Sequence, residues 1–268
     1  MTTEPEDIDA EDGEGVEDVA ETAGDVGDSP ALVERLIPED IRARYDVYSY
    51  RSAALILKET HPERFAELVE FLRTFRITTR MIREAGGNES KIPKAVSAIL
   101  RPLGWHETII SADLLVRLNW KESAGFTKAG KEKFDKKEAE LVRARFLDGH
   151  KVDYVKDRVA FDLEWNSKDQ TFDRDLYAFS AFSECGVIDV GVLVTRSASL
   201  NPVFRKLGNA LDKHGNETNS PVHTKYGAST TWMGKLLYRL NAGRNGSCPV
   251  LAFGIKPACI EDWNDDED

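Results

Sequence analysis

The sequence predicts an α/β protein: a central mixed β-sheet flanked by helices, with a helical region at the N-terminal side. Three observations predict it. First, Val159, Phe161, Leu163 and Trp165 alternate with Ala160, Asp162, Glu164 and Asn166. Period two marks a half-buried strand with its acids on one face. Second, residues 187–194 and 249–255 are mostly apolar runs, the pattern of interior strands covered on both faces. Third, stretches with apolar residues at helical spacing separate these segments. The order helix, hairpin, helix, interior strand, helix, strand is an α/β arrangement.

The elements follow in chain order. Residues 1–29 carry no aromatic residue and are rich in acids, Gly, Ala and Thr, so they are expected to be a disordered, solvating tail. Competition with DNA for a basic surface is the alternative role. Residues 30–260 are expected to form one domain. Its part 30–149 is expected to be mainly helical, and its part 150–260 to hold the core of the sheet. Residues 261–268 form a second acidic tail. Within the domain, residues 31–45 read as a helix interrupted by Pro38, and 46–50 as a short strand. Thr60 is a candidate N-cap for a helix over 61–75, with Phe65, Leu68, Val69 and Leu72 on its apolar stripe. Gly86-Gly87 breaks the next helix. Asn88 or Ser90 caps another that ends before Pro102. Residues 105–120 alternate loosely as a strand, and the charged stretch 130–146 reads as an exposed helix.

Lys151 to Val155 reads as the hairpin partner of the 159–166 strand, with a turn at Asp157-Arg158. A two-residue turn pairs 156 with 159, and therefore Asp153 with Asp162. Directly opposed strand residues share a face, so Asp153, Asp162 and Glu164 converge. An amphipathic helix over 172–184 follows, with Phe172, Leu176, Phe179 and Phe182 inward and Gly186 at its end. Helices are also expected at 202–213 and 230–241.

Composition bounds the function. The 268 residues are 41% hydrophobic, enough for one large domain. No apolar run of about 18 residues occurs, so no membrane span is expected. The acidic N-terminus lacks a charged-then-apolar export pattern. Three unclustered cysteines, Cys185, Cys248 and Cys259, argue against a disulfide framework or a zinc site and fit a reducing cytoplasm. The net charge of −11 sits at the ends. Removing the 18 acids of residues 1–30 and 261–268 leaves 29 acids against all 36 bases, a net of +7. The body is mildly basic, either an ordinary mixed surface or one that attracts a polyanion.

Three carboxylates on one face repel each other unless a cation lies between them. A hard ion such as Mg²⁺, with Mn²⁺ as substitute, takes carboxylates, waters and substrate phosphate as ligands. It can activate water for in-line attack on a phosphodiester. On spacing alone, a plain solvated acidic hairpin is the competing reading.

The surroundings favour the first. His150 to Lys156, Val159 to Asp169, Phe172 to Leu176 and Val190 to Arg196 resemble the core of the BglII/BstYI-type restriction endonucleases, within the PD-(D/E)xK nuclease class. Over residues 224–255 the resemblance is looser, and in the tails it is absent. It implies a restriction-endonuclease-like core and divalent-metal cleavage of double-stranded DNA by a homodimer. The target would be a short palindromic site, with a GATC-centred one as the suggestion. A cognate DNA methyltransferase is expected in the same system. Carried over residue by residue, Asp153 matches the first metal-binding aspartate and Asp162 the second acidic ligand. Glu164 stands where the class has Lys and this family often has Gln. It serves as a ligand to a second metal or positions water. A second alignment, with Glu164 as ligand and Asn166 as third residue, stays open. Lys168 reads equally as a phosphate contact and as a surface lysine. Asp173, Arg174 and Asp175 read as a helix-start charge pattern.

Readout of DNA needs polar side chains at base edges and Lys or Arg on phosphates. The 215–231 stretch, read as a loop, offers Asn216, Thr218, Asn219, Ser220, His223, Lys225, Tyr226, Ser229, Thr230 and Thr231. Arg196, Ser197 and Ser199 follow the interior strand, and Arg244 and Asn245 precede the last one. Lys91 and Lys94 are further candidates, beside an apolar stripe of Ile92, Val96 and Ile99 that is core or dimer interface. A two-fold axis suits cutting both strands of a symmetric site. A repair nuclease that reads DNA structure, or a non-catalytic DNA-binding protein on the same scaffold, are the alternatives.

Overall fold

A computed structural model describes residues 26–84 and 90–264. Most of the acidic N-terminal tail, the Gly86-Gly87 break, the Asn88 cap and the last four acidic residues lie outside them. Helices α1 (Pro30–Leu36) and α2 (Glu39–Arg44) flank Pro38, as its lost N–H and fixed φ require. They lead into β1 (Tyr45–Tyr50), then α3 (Ala53–Thr60), α4 (Pro62–Thr74), α5 (Thr79–Arg83) and α6 (Lys91–Leu100). Thr60 does not cap α4. It is the last residue of α3, a helix the sequence reading missed, and Pro62 at the first position starts α4 behind His61. In α6, Ile92 and Val96 are buried and Ile99 is partly buried against the same core, so this stripe is core.

Strands β2 (His106–Phe126), β3 (Glu132–Lys156) and β4 (Val159–Glu164) come next, then α7 (Thr171–Glu184), β5 (Val190–Arg196), α8 (Asn201–Lys206), β6 (Asn209–Leu211) and β7 (Glu217–Pro221). Helices α9 (Val222–Lys225) and α10 (Met233–Asn241) precede β8 (Val250–Ile255). The six-stranded sheet has the order β1-β8-β5-β4-β3-β2, and β6 and β7 form a separate pair. Strands β4, β5 and β8 run parallel, while β1 and β3 are antiparallel to their neighbours β8 and β4. The mixed sheet flanked by helices agrees with the expected class. No helix among the described residues is long and apolar enough to cross a membrane.

Four expectations are corrected. Of residues 130–146, all from Glu132 on are strand, within β3. Their charges favour helix locally, but pairing with β2 satisfies the backbone and leaves nearly every side chain exposed, so no period-two apolar signal marks the strand. The helix at 202–213 stops at Lys206, where Gly208 at φ 71° turns the chain into β6. The 215–231 stretch contains β7 and α9 rather than only loop. The fourth correction is β4, which is buried on both faces rather than one.

The chain divides into two compact units, one being Ile109–Lys151. That unit is a two-stranded ribbon of β2 and β3. Arg117 pairs with Glu140 across it at 2.9 Å, and Gly130 at φ 78° shapes its tip. Leu118, Trp120, Phe134 and Leu141 are exposed on it.

In the other unit, Phe161 packs edge-on against Phe71 and Tyr154, with centroids 5.4 and 5.7 Å away. On the opposite face of the sheet Ala160 stands beside Gly191 of β5, and α7 lies over them. A Cβ at Gly191 would come within 2.4 Å of the Phe179 ring. This close approach brings α7 down onto the face from which Asp162 and Glu164 project.

Candidate active site

The β3–β4 hairpin turns at Asp157 and Arg158, with Lys156 opposite Val159, Val155 opposite Ala160 and Tyr154 opposite Phe161. The pairing ends one step short of Asp153 and Asp162, and the Asp153 charge acts on Asp162. Asp153 is half-buried, whereas Asp162 is 3% and Glu164 6% exposed. Both lie toward the carboxyl end of β4, between β3 and the parallel strand β5. In open α/β sheets that end of the strands is where sites form.

A fourth carboxylate joins them. Asp175, 1% exposed, enters from the opening of α7 and its carboxylate acts on that of Glu164. Its Oδ1 accepts from Arg174 Nε and Nη2 at 3.1 and 3.0 Å. Among the described residues its buried Oδ2 accepts from no donor group, and the same holds for the buried Asn166 Oδ1 just past β4. Asp173 keeps the helix-start role, paired with Arg239 at 3.0 Å and with Arg244. Asp175 and Arg174 do not, because they belong to the carboxylate cluster. Sequence spacing held no signal for this, since the packing of α7 on the sheet is what brings position 175 to position 164.

The charges in this cluster are unfavourable by themselves. Burial, then the carboxylates of Asp175, Asp153 and Glu164, push the Asp162 pKa well above its ordinary value. Glu164 is pushed up to about 8, first by burial and then by Asp175. Burial raises Asp175 as well, against the pull of Arg174. A carboxyl whose folded pKa exceeds its unfolded one favours the folded state in its protonated form. That contribution is fully present below the unfolded value, about 4.3 for Glu, and is lost as pH rises through about 8. The melting temperature of the metal-free protein is therefore expected to fall between pH 6 and pH 9. Glu164→Gln should flatten the fall in a calorimetric series with chelator, and equal slopes for the two proteins would refute this.

All donors here are hard oxygens, and two buried ones lack a donor partner, which suits Mg²⁺ or Mn²⁺. Among the described residues no group of three or more His, Cys, Asp or Glu side chains stands in metal-holding geometry. The acids converge without closing into a cage. Mg²⁺ needs no such cage, because it keeps several waters and takes one or two carboxylates.

Several candidate DNA contacts are committed elsewhere. Arg196 is buried. Its Nε donates to the carbonyls of Trp165 and Thr231 at 2.8 and 3.0 Å and its Nη2 to Thr230 Oγ1 at 2.6 Å, while the guanidinium lies beside the Phe204 and Tyr226 rings, 5.5 and 4.9 Å from their centroids. Tyr226 stacks on Phe204 at 4.2 Å and donates to the Ile82 carbonyl at 2.8 Å. Lys225 Nζ donates to the carbonyls of Ile82 and Glu84. Thr231 accepts from the Ser167 amide, Ser197 donates to Asp46, and Asn245 donates to the Cys248 carbonyl. Burial removes these groups from a base edge in this conformation. Lys94, Ser229 and Arg244 remain at the surface, as does Lys91, paired with Glu84 at 2.7 Å. Lys168 is exposed too, on a segment pinned by backbone bonds between 167–169 and 229–231.

A family model described as restriction endonuclease BglII/BglIII matches residues 45–255. The search of curated proteins found no match.

Proposed function

The chain belongs to the restriction endonuclease BglII/BglIII family, and from that premise we propose that it is a type II enzyme. In this reading it hydrolyses phosphodiester bonds in double-stranded DNA at a short palindromic site, with Mg²⁺ and as a homodimer. A GATC-centred site is the working choice. The observation that carries the reading is the convergence of Asp153, Asp162, Glu164 and Asp175 at the carboxyl end of β4. Burying so many acids together costs stability, and phosphodiester chemistry with a divalent cation is a use that offsets the cost.

Asp153 and Asp162 hold the cation, and Glu164 either joins them or orients the attacking water. Bound Mg²⁺ would neutralise the cluster, polarise the phosphate and make water a better nucleophile. As the water oxygen bonds to phosphorus, the P–O bond to the leaving strand breaks. The attacking water releases a proton toward a carboxylate of the cluster, and the leaving oxygen gains one from solvent. An enzyme of this kind needs its own genome shielded, hence the partner methyltransferase.

Digestion of a long DNA with Mg²⁺ should yield discrete fragments, and Asp153→Ala should abolish them. End-mapping then reads the site. Flap or junction cleavage without sequence preference would identify a repair nuclease instead. Sequence-specific binding without cleavage under any divalent metal would identify a non-catalytic protein.

A further inference from the structure

We propose that Arg174 is the cation that contacts the scissile phosphate in this site. The inference rests on the nuclease reading and adds to it the residue that meets the substrate's negative charge. Phosphoryl transfer spreads charge over the equatorial oxygens of phosphorus, and fixed donors aimed there lower the barrier. The four carboxylates of the site are acceptors when ionised and offer no such donor. Strand β4 supplies none either, since Glu164 ends it.

Arg174 is placed to fill the gap. The side-on edge of its guanidinium, Nε and Nη2, is held by Asp175 Oδ1, and Nη2 stands 3.7 Å from Glu164 Oε1. Among the described residues Nη1 makes no hydrogen bond. The Arg174 side chain is 68% exposed, while those of Glu164 and Asp175 are 8% and 1%. The guanidinium therefore sits where the buried acids meet solvent, which is the side from which a phosphate must come. A planar, permanently charged fork suits a phosphate oxygen. Helix formation does not explain the residue, because a cation in the opening turns of a helix runs against the helix dipole.

Wild-type protein, Arg174→Ala and Arg174→Lys are to be compared on a long linear DNA with Mg²⁺ at saturating enzyme. The single-turnover rate of Arg174→Ala is expected to fall roughly 10²–10³-fold, the scale of losing one transition-state donor. Its fragment pattern should stay unchanged. Lysine should recover part of the rate, and added guanidinium ion should restore part of the alanine variant's activity without speeding the wild type. Equal rates for wild type and Arg174→Ala would overturn the assignment. A rate loss that comes with a lowered melting temperature, and that neither lysine nor guanidinium repairs, would do the same by making Arg174 a support for Asp175. A wild type that cuts no DNA with any divalent metal would instead overturn the nuclease reading itself.

Discussion

Asp162→Asn is expected to slow DNA cleavage by roughly 10³-fold or more and, in the same protein, to raise the melting temperature without metal. The two effects share one cause. Asp162 is buried among Asp175, Asp153 and Glu164, and both burial and those neighbours disfavour its charge. An asparagine of the same shape removes the repulsion, and neighbouring carboxylates can accept from its amide. Relief of a buried uncompensated charge is on the order of 1–3 kcal/mol. At about 2–4 °C per kcal/mol for a chain of this size, a gain of several degrees is expected. Activity falls because a ligand oxygen with full negative charge is gone. Stability given up for a working site is a general trade-off. Calorimetry in chelator and single-turnover cleavage on one preparation check both. Lower stability with lower activity would make Asp162 a structural residue, and unchanged cleavage would remove it from the site.

Asp153, Asp162 and Glu164 were legible in the sequence because a hairpin is local. Strand alternation and a two-residue turn bring 153 to 162 with no knowledge of the rest of the chain. Their burial was not legible. It depends on α7 settling over Gly191 through Phe179, a contact between elements. Asp175 was missed for that same reason, although Phe172, Leu176, Phe179 and Phe182 correctly marked which face of α7 turns inward. The order of β4, α7, β5 and β8 was readable from apolar runs and Gly186. The charged arm of β3 was not, because a ribbon exposed on both faces satisfies its backbone through β2 and leaves no periodic burial to detect. Polar residues near Thr230 looked like a reading surface. Several instead fasten that segment to the end of β4, a use of Thr and Arg that a single sequence cannot separate from base contact.

Arg196→Ala is the sharpest test of that distinction, with an expected loss of about 3–5 kcal/mol of stability. The guanidinium is buried deeply enough that its pKa is pushed down to about 10. Its removal would strand the carbonyls of Trp165 and Thr231 and take one of two partners from the Thr230 hydroxyl. Each unsatisfied buried group costs about 1–3 kcal/mol. It would also open a void beside the stacked Phe204 and Tyr226 rings. Arg196→Lys should rescue little, because an ammonium cannot reproduce a planar fork with three acceptors on two sides. Urea unfolding would show the loss as a lower midpoint with an unchanged slope. A phosphate contact would behave otherwise: stability would hold, and the salt dependence of DNA binding would weaken by about one counterion. The Trp165 carbonyl that Arg196 grips follows directly on Glu164. Cleavage should therefore decline in step with the destabilised end of β4.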